Sequence, residues 1–255
     1  MIEIRNIYKS FSGRIVLNNI SATFDAGRTN LTIGRSGSGK TVLMKSMVGL
    51  ETIDSGQILF DGKDITTMNK KERHLIRERI GMVFQGGALF DSMNVADNVC
   101  FPLRMFTNMT PEDMNKRVDF CLERVGLSNV HTLNTSELSG GMRKRVAIAR
   151  AIVGNPKYLF CDEPNSGLDP QTSILIDNLI KEITEEYNIT TIVNTHDMNS
   201  VMGIGDSIIF IYQGRKEWEG NKDQVFTATN KRLNDFIFAS DLLKKVKEEE
   251  NQHHK

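Results

Sequence analysis

A glycine-rich stretch near the start of the sequence has the composition of a phosphate-binding loop. Its residues, Gly34-Arg35-Ser36-Gly37-Ser38-Gly39-Lys40-Thr41, fit the pattern G-x4-G-K-[ST] in full. Glycines let the backbone turn tightly, so that the N–H groups of residues 37–39 point at a phosphate. Lys40 would reach the β- and γ-phosphates, and the Thr41 hydroxyl would be a ligand for Mg²⁺. The stretch therefore predicts a nucleotide site rather than a plain glycine-rich turn.

A pair of adjacent carboxylates, Asp162 and Glu163, is the second group suited to this chemistry. The pair directly follows the apolar run Tyr158–Cys161, which is typical of a buried strand. At the C-terminal end of such a strand, both acids would lie in the ligand crevice of an open α/β sheet. We expect Asp162 to hold Mg²⁺ through water and Glu163 to polarise the attacking water. The alternative is a pair of solvated acids in a strand-end turn.

The elements that must position these groups alternate between strands and helices. Strands are predicted at Ile2–Ile7, Val16–Phe24, Asn30–Ile33, Gln57–Phe60, Tyr158–Cys161, Thr190–Asn194 and Ser207–Tyr212, and helices at Thr41–Leu50, Met68–Glu78 and Gln171–Glu186. The segment from about 87 to 155 is predicted to be mostly helical, with helix starts at Thr110 and Ser139. This alternation indicates an α/β fold with a largely parallel sheet and helices on its faces.

The composition is that of a globular protein and argues against several functions. The 255 residues carry 32 Lys+Arg and 32 Asp+Glu, a net charge of zero, which disfavours a protein that coats nucleic acid. Cys100, Cys121 and Cys161 are too few and scattered for a disulfide framework, so we expect buried thiols. The apolar runs fall far short of the roughly 20 residues that span a bilayer. If the protein acts in transport, we expect the pore on another chain.

A second anion site is predicted at Leu138-Ser139-Gly140-Gly141-Met142, ahead of a basic amphipathic helix. Ser139 would cap this helix, and Gly140 and Gly141 would leave its N–H groups bare for an anion. This stretch resembles the LSGGQ signature of the ATP-binding cassette (ABC) ATPases. Together with the two motifs above, it makes the sequence similar to that family over nearly the whole chain. It implies a head-to-tail homodimer in which each signature closes the partner's ATP.

The resemblance implies a P-loop NTPase fold of the ABC ATPase type in one domain, 1–255. The core, 1–86 and 156–220, would combine a mostly parallel sheet with an antiparallel β edge subdomain. A helical subdomain would be inserted at about 87–155, and a helical extension would follow at about 221–255. Packing of this extension on its own domain is the default prediction, and contact with the second protomer is the alternative.

Four further positions match site residues of the family. Phe11 stands where the family stacks an aromatic ring on adenine, and Gln85 matches the loop glutamine that senses Mg²⁺ and water. Asp169 ends the stretch Ser166-Gly167-Leu168-Asp169, similar to the loop that contacts the other protomer, and His196 matches the switch histidine on the γ-phosphate. Taken singly, Phe11 is equally typical of a core residue, Gln85 of a surface amide and His196 of a strand-end histidine. Together they imply an ATPase that uses ATP and Mg²⁺.

Two local features indicate a subfamily and its cargo. Met142 stands in place of the usual signature glutamine, and Gln85 is followed by Gly86-Gly87-Ala88-Leu89-Phe90. Both features are similar to the ATPase of the Mla-type, Mce-associated phospholipid transporters of diderm bacteria. This resemblance implies a membrane permease and an Mce-domain lipid carrier as partners, and a peripheral position on the cytoplasmic face of the inner membrane.

The sequence leaves alternative cargoes open and disfavours other functions of ABC proteins. The alternative cargoes are amino acids for import and lipoproteins for release. ABC proteins that act in DNA repair or on ribosomes usually carry a coiled-coil insertion, a zinc hook or two cassettes, and none of these is expected in this sequence. The intact Asp162–Glu163 pair argues against a nucleotide-binding regulator without turnover.

An apolar cluster after Gln85 is expected to supply both core residues and a groove for a partner helix: Met93, Val95, Val99, Phe101, Leu103, Met105 and Phe106.

Overall fold

The computed structural model describes residues 1–238, which form two β-sheets with helices packed around them. The strands, numbered in chain order, are β1 (Ile2–Phe11), β2 (Arg14–Phe24), β3 (Arg28–Ile33), β4 (Ser55–Phe60), β5 (Lys63–Asp64), β6 (Ile80–Val83), β7 (Tyr158–Asp162), β8 (Thr190–Thr195), β9 (Ser207–Tyr212) and β10 (Arg215–Gly220). The helices are α1 (Lys40–Met47), α2 (Lys70–Arg77), α3 (Val95–Phe106), α4 (Pro111–Arg124), α5 (Gly140–Ile152), α6 (Pro170–Glu186), α7 (Met198–Ile204), α8 (Lys222–Val225) and α9 (Lys231–Ile237).

The larger sheet has the strand order β10-β9-β3-β8-β7-β6. Its pairings from β9 to β6 are parallel, whereas β10 pairs antiparallel with β9 at one edge. Strands β3, β7 and β8 are buried along almost their whole length, as expected for central strands of a parallel sheet covered on both faces. Because parallel strands end at the same edge, the loops that follow β3, β7 and β8 are neighbours.

The smaller sheet is antiparallel, with the order β2-β1-β4-β5. It shares a core with the larger sheet, where the ring of Phe60 meets Tyr158 edge-on with 4.7 Å between ring centroids. The Tyr158 hydroxyl donates to Asp61 at 2.6 Å, and the amide of Asn18 donates to the carbonyl of Gly214 at 2.7 Å. The predicted α/β architecture, a mostly parallel sheet with an antiparallel companion, is confirmed.

Helices α3, α4 and α5 form the predicted helical segment. Thr110 and Ser139 accept hydrogen bonds from the backbone N–H groups three residues ahead and begin α4 and α5, as predicted. The apolar cluster divides between core and surface. Its buried members are Val95, Val99 and Leu103, its partly buried members are Met93 and Phe101, and its exposed members are Met105 and Phe106.

The remaining expectations concern the cysteines and the C-terminus. All three cysteines are free and buried, and burial raises the pKa of the Cys121 thiol to about 11, so it stays protonated at neutral pH. Part of the predicted C-terminal extension is helical in α8 and α9, and its remainder, 239–255, lies outside the described residues. Within 1–238, no helix combines the length and hydrophobicity needed to cross a membrane.

Candidate active site

The glycine-rich loop joins β3 to α1 and presents a buried lysine to its interior. Gly37 and Gly39 have φ angles of +77° and +109°, left-handed values that favour glycine. Lys40 is the first residue of α1 and is only 4% exposed, and its Nζ donates to the carbonyls of Gly34 at 2.8 Å and Arg35 at 3.2 Å. Burial lowers the pKa of Lys40, an effect that Glu163 and Asp162 oppose.

Two details of this loop fit an incoming phosphate. Ser38 is buried, and its Oγ has no hydrogen-bond partner in the described part of the chain. Gly34 leaves no room for a side chain, because a Cβ there would lie 2.3 Å from the carbonyl oxygen of Ile211. The loop therefore combines an unpaired hydroxyl, a buried ammonium and the positive end of α1, the features of an anion site.

Asp162 and Glu163 end β7 beside this loop and face different neighbours. Asp162 is buried, and its Oδ1 accepts from the Thr41 hydroxyl at 3.3 Å and from Asn194 Nδ2 at 2.9 Å. Glu163 has a left-handed φ of +47°, and its N–H donates to the carbonyl of Asn194 at 2.9 Å. The backbone reversal at Glu163 turns the two carboxylates to separate partners.

Three side chains from different segments converge on the carboxylate of Glu163. His196 Nδ1 lies 3.1 Å from Oε1, and Lys40 Nζ lies 3.9 Å from the same oxygen. Gln85 Nε2 donates to the other oxygen, Oε2, at 3.2 Å and to Ser166 Oγ at 3.3 Å. The structure thus brings Lys40, Gln85, Glu163 and His196 together.

The predicted metal ligands are hard oxygen donors. The Thr41 hydroxyl and the Asp162 carboxylate are in contact, whereas Gln85 contacts Glu163, the residue after Asp162, and makes no hydrogen bond to either of them within residues 1–238. In residues 1–238 no three His, Cys, Asp or Glu side chains are grouped closely enough to hold a metal ion. Such a sparse set fits Mg²⁺, which keeps several waters and shares substrate phosphates with one or two protein oxygens.

The predicted second anion site lies at the start of α5, next to residues 168–172. Gly140 and Gly141 lie against α6: a Cβ on Gly141 would be 2.7 Å from Thr172, and one on Gly140 3.4 Å from Leu168. Asp169 caps α6 through the Thr172 N–H at 3.0 Å and Thr172 Oγ1 at 2.6 Å, and these bonds lower its pKa. No hydrogen bond or ion pair in 1–238 joins residues 138–142 to residues 34–41.

Phe11 lies at the end of β1 in the smaller sheet and is 41% exposed. The ammonium of Lys9 stands over its ring, 4.8 Å from the centroid, and forms an ion pair with Asp54 at 3.6 Å. Phe11 is therefore not a core residue. Its ring is accessible to a flat ligand, with a cation close to it.

Three site residues were not predicted from the sequence. Asn194 contacts Asp162, as described above. Lys144 and Arg150 extend from α5 under the loop that carries Gln85: Lys144 donates to the carbonyl of Gln85, and Arg150 donates to the carbonyls of Gly87 and Ala88 at 2.7 and 2.8 Å. Burial lowers the pKa of Lys144. The sequence feature that could have identified Lys144 and Arg150 is their position among alanine and isoleucine residues on the buried face of α5.

Comparison with known families matches residues 17–166 to the ABC transporter family, a match that spans both motifs around the converging carboxylate. The chain belongs to the ABC transporter family. It is an ABC ATPase that binds ATP. The resemblance seen in the motifs is thereby confirmed.

Relatives within the ABC family differ in the cargo that their names state. The intermembrane phospholipid transport system ATP-binding protein MlaF of Haemophilus influenzae is 37% identical over 93% of this chain and 90% of its own length. The probable ribonucleotide transport ATP-binding protein mkl of Mycobacterium leprae is 35% identical over 92% of this chain and 68% of its own length. The methionine import ATP-binding protein MetN of Campylobacter jejuni is 36% identical over 95% of this chain and 77% of its own length.

Solved ABC cassettes have the same fold. The dimeric structure of MJ0796, a bacterial ABC transporter cassette, superposes with a TM-score of 0.81 at 31% identity, over 87% of this chain and 99% of that chain. A dimeric post-hydrolysis state of MJ0796 bound to ADP and Pi gives the same TM-score at 30% identity, over the same shares of the two chains. The ABC ATPase fold is therefore confirmed.

Proposed function

We propose that this chain is the ATP-hydrolysing subunit of a transporter that moves phospholipid between bacterial membranes through a separate permease. The observation that supports phospholipid as the cargo is the alignment with MlaF, which covers 93% of this chain and 90% of MlaF. The alignments with mkl and MetN cover smaller shares of those relatives, 68% and 77%. Met142 and the Gly86–Phe90 stretch point to the same cargo.

In this proposal, loop 34–41 binds the phosphates of ATP. Gly34, Ser36 and the glycines at 37 and 39 shape the backbone around the anion, and the free Ser38 hydroxyl donates to a phosphate oxygen. Lys40 exchanges its two carbonyl acceptors for β- and γ-phosphate oxygens. A buried ammonium gains more from an anion than from neutral carbonyls, so this exchange favours nucleotide binding.

Mg²⁺ would be held by the Thr41 hydroxyl, by Asp162 through water and by Gln85. When bound, the ion neutralises charge on the β- and γ-phosphates. Gln85 is part of the loop that Lys144 and Arg150 support from α5. Through these contacts, a displacement of the helical segment would also displace Gln85.

Glu163 would orient and polarise the attacking water. Its Oε1 already faces Lys40 and His196, the two side chains assigned to the γ-phosphate, so water held by Glu163 is placed next to the phosphorus. The Gln85 amide restrains the other carboxylate oxygen. Hydrolysis of this kind needs positioning and charge neutralisation more than covalent chemistry by the protein.

A second copy of the chain would complete the site. Ser139, Gly140 and Gly141 would form an anion site apart from loop 34–41 of the same protomer, next to the loop that ends at Asp169. In a head-to-tail homodimer, this surface would meet the partner's ATP and bring Asp169 to the interface. Phe11 would stack on the adenine ring through its accessible face. The dimeric state of MJ0796 supports this arrangement.

The permease would dock on an exposed apolar patch, which we call the docking patch. It includes Leu75 on α2 and Met105 and Phe106 at the end of α3, and the ring of His74 lies 5.5 Å from that of Phe106. Exposed large apolar side chains grouped in this way are typical of protein interfaces. Docking there would place the chain on the cytoplasmic face of the inner membrane, with an Mce-domain lipid carrier as a further partner.

A second candidate is import of an amino acid. The 36% identity to MetN over 95% of this chain favours it, because the value is within one percentage point of that for MlaF. This candidate keeps every site residue in the same role and changes only the cargo and the partner proteins. Lipoprotein release is the remaining alternative.

Co-purification from native membranes tests the cargo. The Glu163→Gln variant, tagged and expressed in its native host, is solubilised in detergent, purified with ATP and analysed by mass spectrometry for bound chains and lipids. We expect a permease, an Mce-domain protein and phospholipid. The matched control adds Phe106→Asp to the docking patch and should lose all three. A periplasmic amino-acid-binding system, or soluble partners alone, would contradict the phospholipid proposal and leave the ATPase intact.

A further inference from the structure

A buried carboxylate outside the catalytic contacts joins two loops of the site. Asp177 lies on α6 and is only 4% exposed. Its Oδ1 accepts from Asn165 Nδ2 at 2.7 Å, and its Oδ2 accepts from Ser200 Oγ at 2.8 Å. Asn165 Nδ2 also lies 3.2 Å from Ser200 Oγ, so the three side chains form a closed triangle, named here the Asp177 triangle.

The triangle holds a carboxylate that no cation of residues 1–238 neutralises. Among the ion pairs of residues 1–238, none includes Asp177. Burial raises the pKa of its carboxyl to about 6, and the bonds from Ser200 and Asn165 oppose that rise. A buried carboxylate without a cation is costly, and a leucine at this position of α6 would avoid the cost. The position is therefore not explained by packing.

The amide of Asn165 is committed to this contact. Its Oδ1 is buried and has no partner within the described residues, so the amide leaves one acceptor unpaired while its Nδ2 serves Asp177 and Ser200. The opposite orientation would aim the amide oxygen at the carboxylate. Asp177 thus fixes the direction of the Asn165 side chain.

The two partners of Asp177 belong to the segments that carry Glu163 and His196. Asn165 lies two residues after Glu163 in a series of tight turns, where Ser166 N–H donates to the Glu163 carbonyl at 3.2 Å. The left-handed φ of Glu163, +47°, is disfavoured for a glutamate and needs support from outside the loop. Ser200 is in the first turn of α7, which begins at Met198, two residues after His196.

We propose that Asp177 is a positioning residue for ATP hydrolysis, because it holds Asn165 and Ser200 together and so fixes the Glu163 loop relative to the start of α7. The inference rests on the roles proposed above for Glu163 and His196. Asp177 itself touches neither the nucleotide loop nor the two catalytic side chains. Its effect is to keep Glu163 Oε1 and His196 Nδ1 at their separation of 3.1 Å.

The test is steady-state ATP hydrolysis by the purified full chain. Asp177→Ala is expected to lower kcat about tenfold or more and to leave KM for ATP within about twofold, because the triangle does not contact loop 34–41. The exchange variant Asn165→Asp/Asp177→Asn reverses donor and acceptor across the same bond. It is expected to recover kcat to within about threefold of the parent chain. Asn178→Ala, an exposed neighbour on α6, is the matched control.

Defined outcomes overturn the inference. One is a kcat for Asp177→Ala within about twofold of the parent. Another is an exchange variant no more active than Asp177→Asn alone. If Asp177 variants do not fold, Asn165→Ala removes the same contact from the loop side, and an unchanged kcat there overturns the inference as well. Near-parental turnover of Glu163→Gln would instead contradict the catalytic role of Glu163, so the two failures are distinguishable.

Discussion

Lys40 and Glu163 lie opposite each other in the candidate active site, with 3.9 Å between Nζ and Oε1. The ammonium is held by the carbonyls of Gly34 and Arg35, and His196 approaches the same carboxylate oxygen from the other strand end. A γ-phosphate and its attacking water would be held by these three side chains. This arrangement leads to predictions that separate nucleotide binding from turnover.

Lys40→Ala is expected to weaken ATP binding. The variant removes a buried, charge-assisted donor to the phosphates, which corresponds to an increase in Kd of about tenfold or more. The measurement is titration with a fluorescent ATP analogue. Lys45→Ala, on the same helix but partly exposed, is the control and should leave Kd unchanged. Equal affinities of Lys40→Ala and the parent would remove Lys40 from the phosphate site.

His196→Ala is expected to lower kcat and to leave ATP affinity nearly unchanged. Loss of a donor aimed at developing charge costs about 100-fold in kcat, whereas loop 34–41 remains intact. Initial-rate kinetics with a parallel binding titration measures both quantities. His131→Ala is the matched control, because His131 pairs with Asp119 on the surface. A larger change in Kd than in kcat would show that His196 serves binding instead.

Asn194→Val is expected to raise the Mg²⁺ requirement and to lower stability only modestly, because the donor lost to Asp162 is partly offset by removal of an unsatisfied acceptor. Asn194 Nδ2 donates to Asp162, but its Oδ1 is buried without a partner in the described residues, so valine also removes an unsatisfied acceptor. We expect the Mg²⁺ concentration at half-maximal ATPase activity to rise about tenfold. Thr32→Val, at the paired position of β3 with its own unpaired hydroxyl, is the control for stability. An unchanged Mg²⁺ requirement would contradict the contribution of Asn194.

The stability of the chain should depend on Asp177 in a defined pH window. Burial raises the pKa of this carboxyl from the ordinary 3.8 to about 6, with Asp197 and Cys161 as the ionisable neighbours and no cation paired to it in 1–238. Its contribution to stability is therefore fully present below about pH 4 and is lost as the pH rises through 6, a change of about 3 kcal/mol.

The side chain of the isosteric variant Asp177→Asn does not titrate, so comparison with the parent isolates the pH-dependent contribution of the Asp177 carboxyl to stability. Its melting temperature relative to the parent should rise between pH 5 and pH 7, because only the parent loses stability there. Thermal unfolding followed by circular dichroism at matched ionic strength gives the difference. A difference that stays constant from pH 4.5 to pH 7.5 would show that the Asp177 carboxyl does not titrate in this range.

Contiguous motifs made the residues of the candidate site identifiable from the sequence, whereas contacts between side chains far apart in the sequence could not be predicted. Loop 34–41 and the Asp162–Glu163 pair could be found because each is contiguous and follows an apolar strand. Strand β10 and helix α7 were missed, since β10 is a polar edge strand and α7 has only seven residues. Asn194 and Asp177 were missed because their partners lie far away in the sequence, and an isolated polar residue in an apolar segment does not name its partner.

ATP-driven dimerisation of Glu163→Gln tests the central claim most directly. By sedimentation velocity we expect a 28.8 kDa monomer without nucleotide and a stable dimer with ATP. Radiolabelled ATP should show two bound molecules per dimer and a turnover far slower than that of the parent chain. Adding Ser139→Asp places a carboxylate in the second anion site and should leave a monomer that still binds ATP. A Glu163→Gln protein that stays monomeric at saturating ATP, or hydrolyses it within about threefold of the parent rate, would contradict the account.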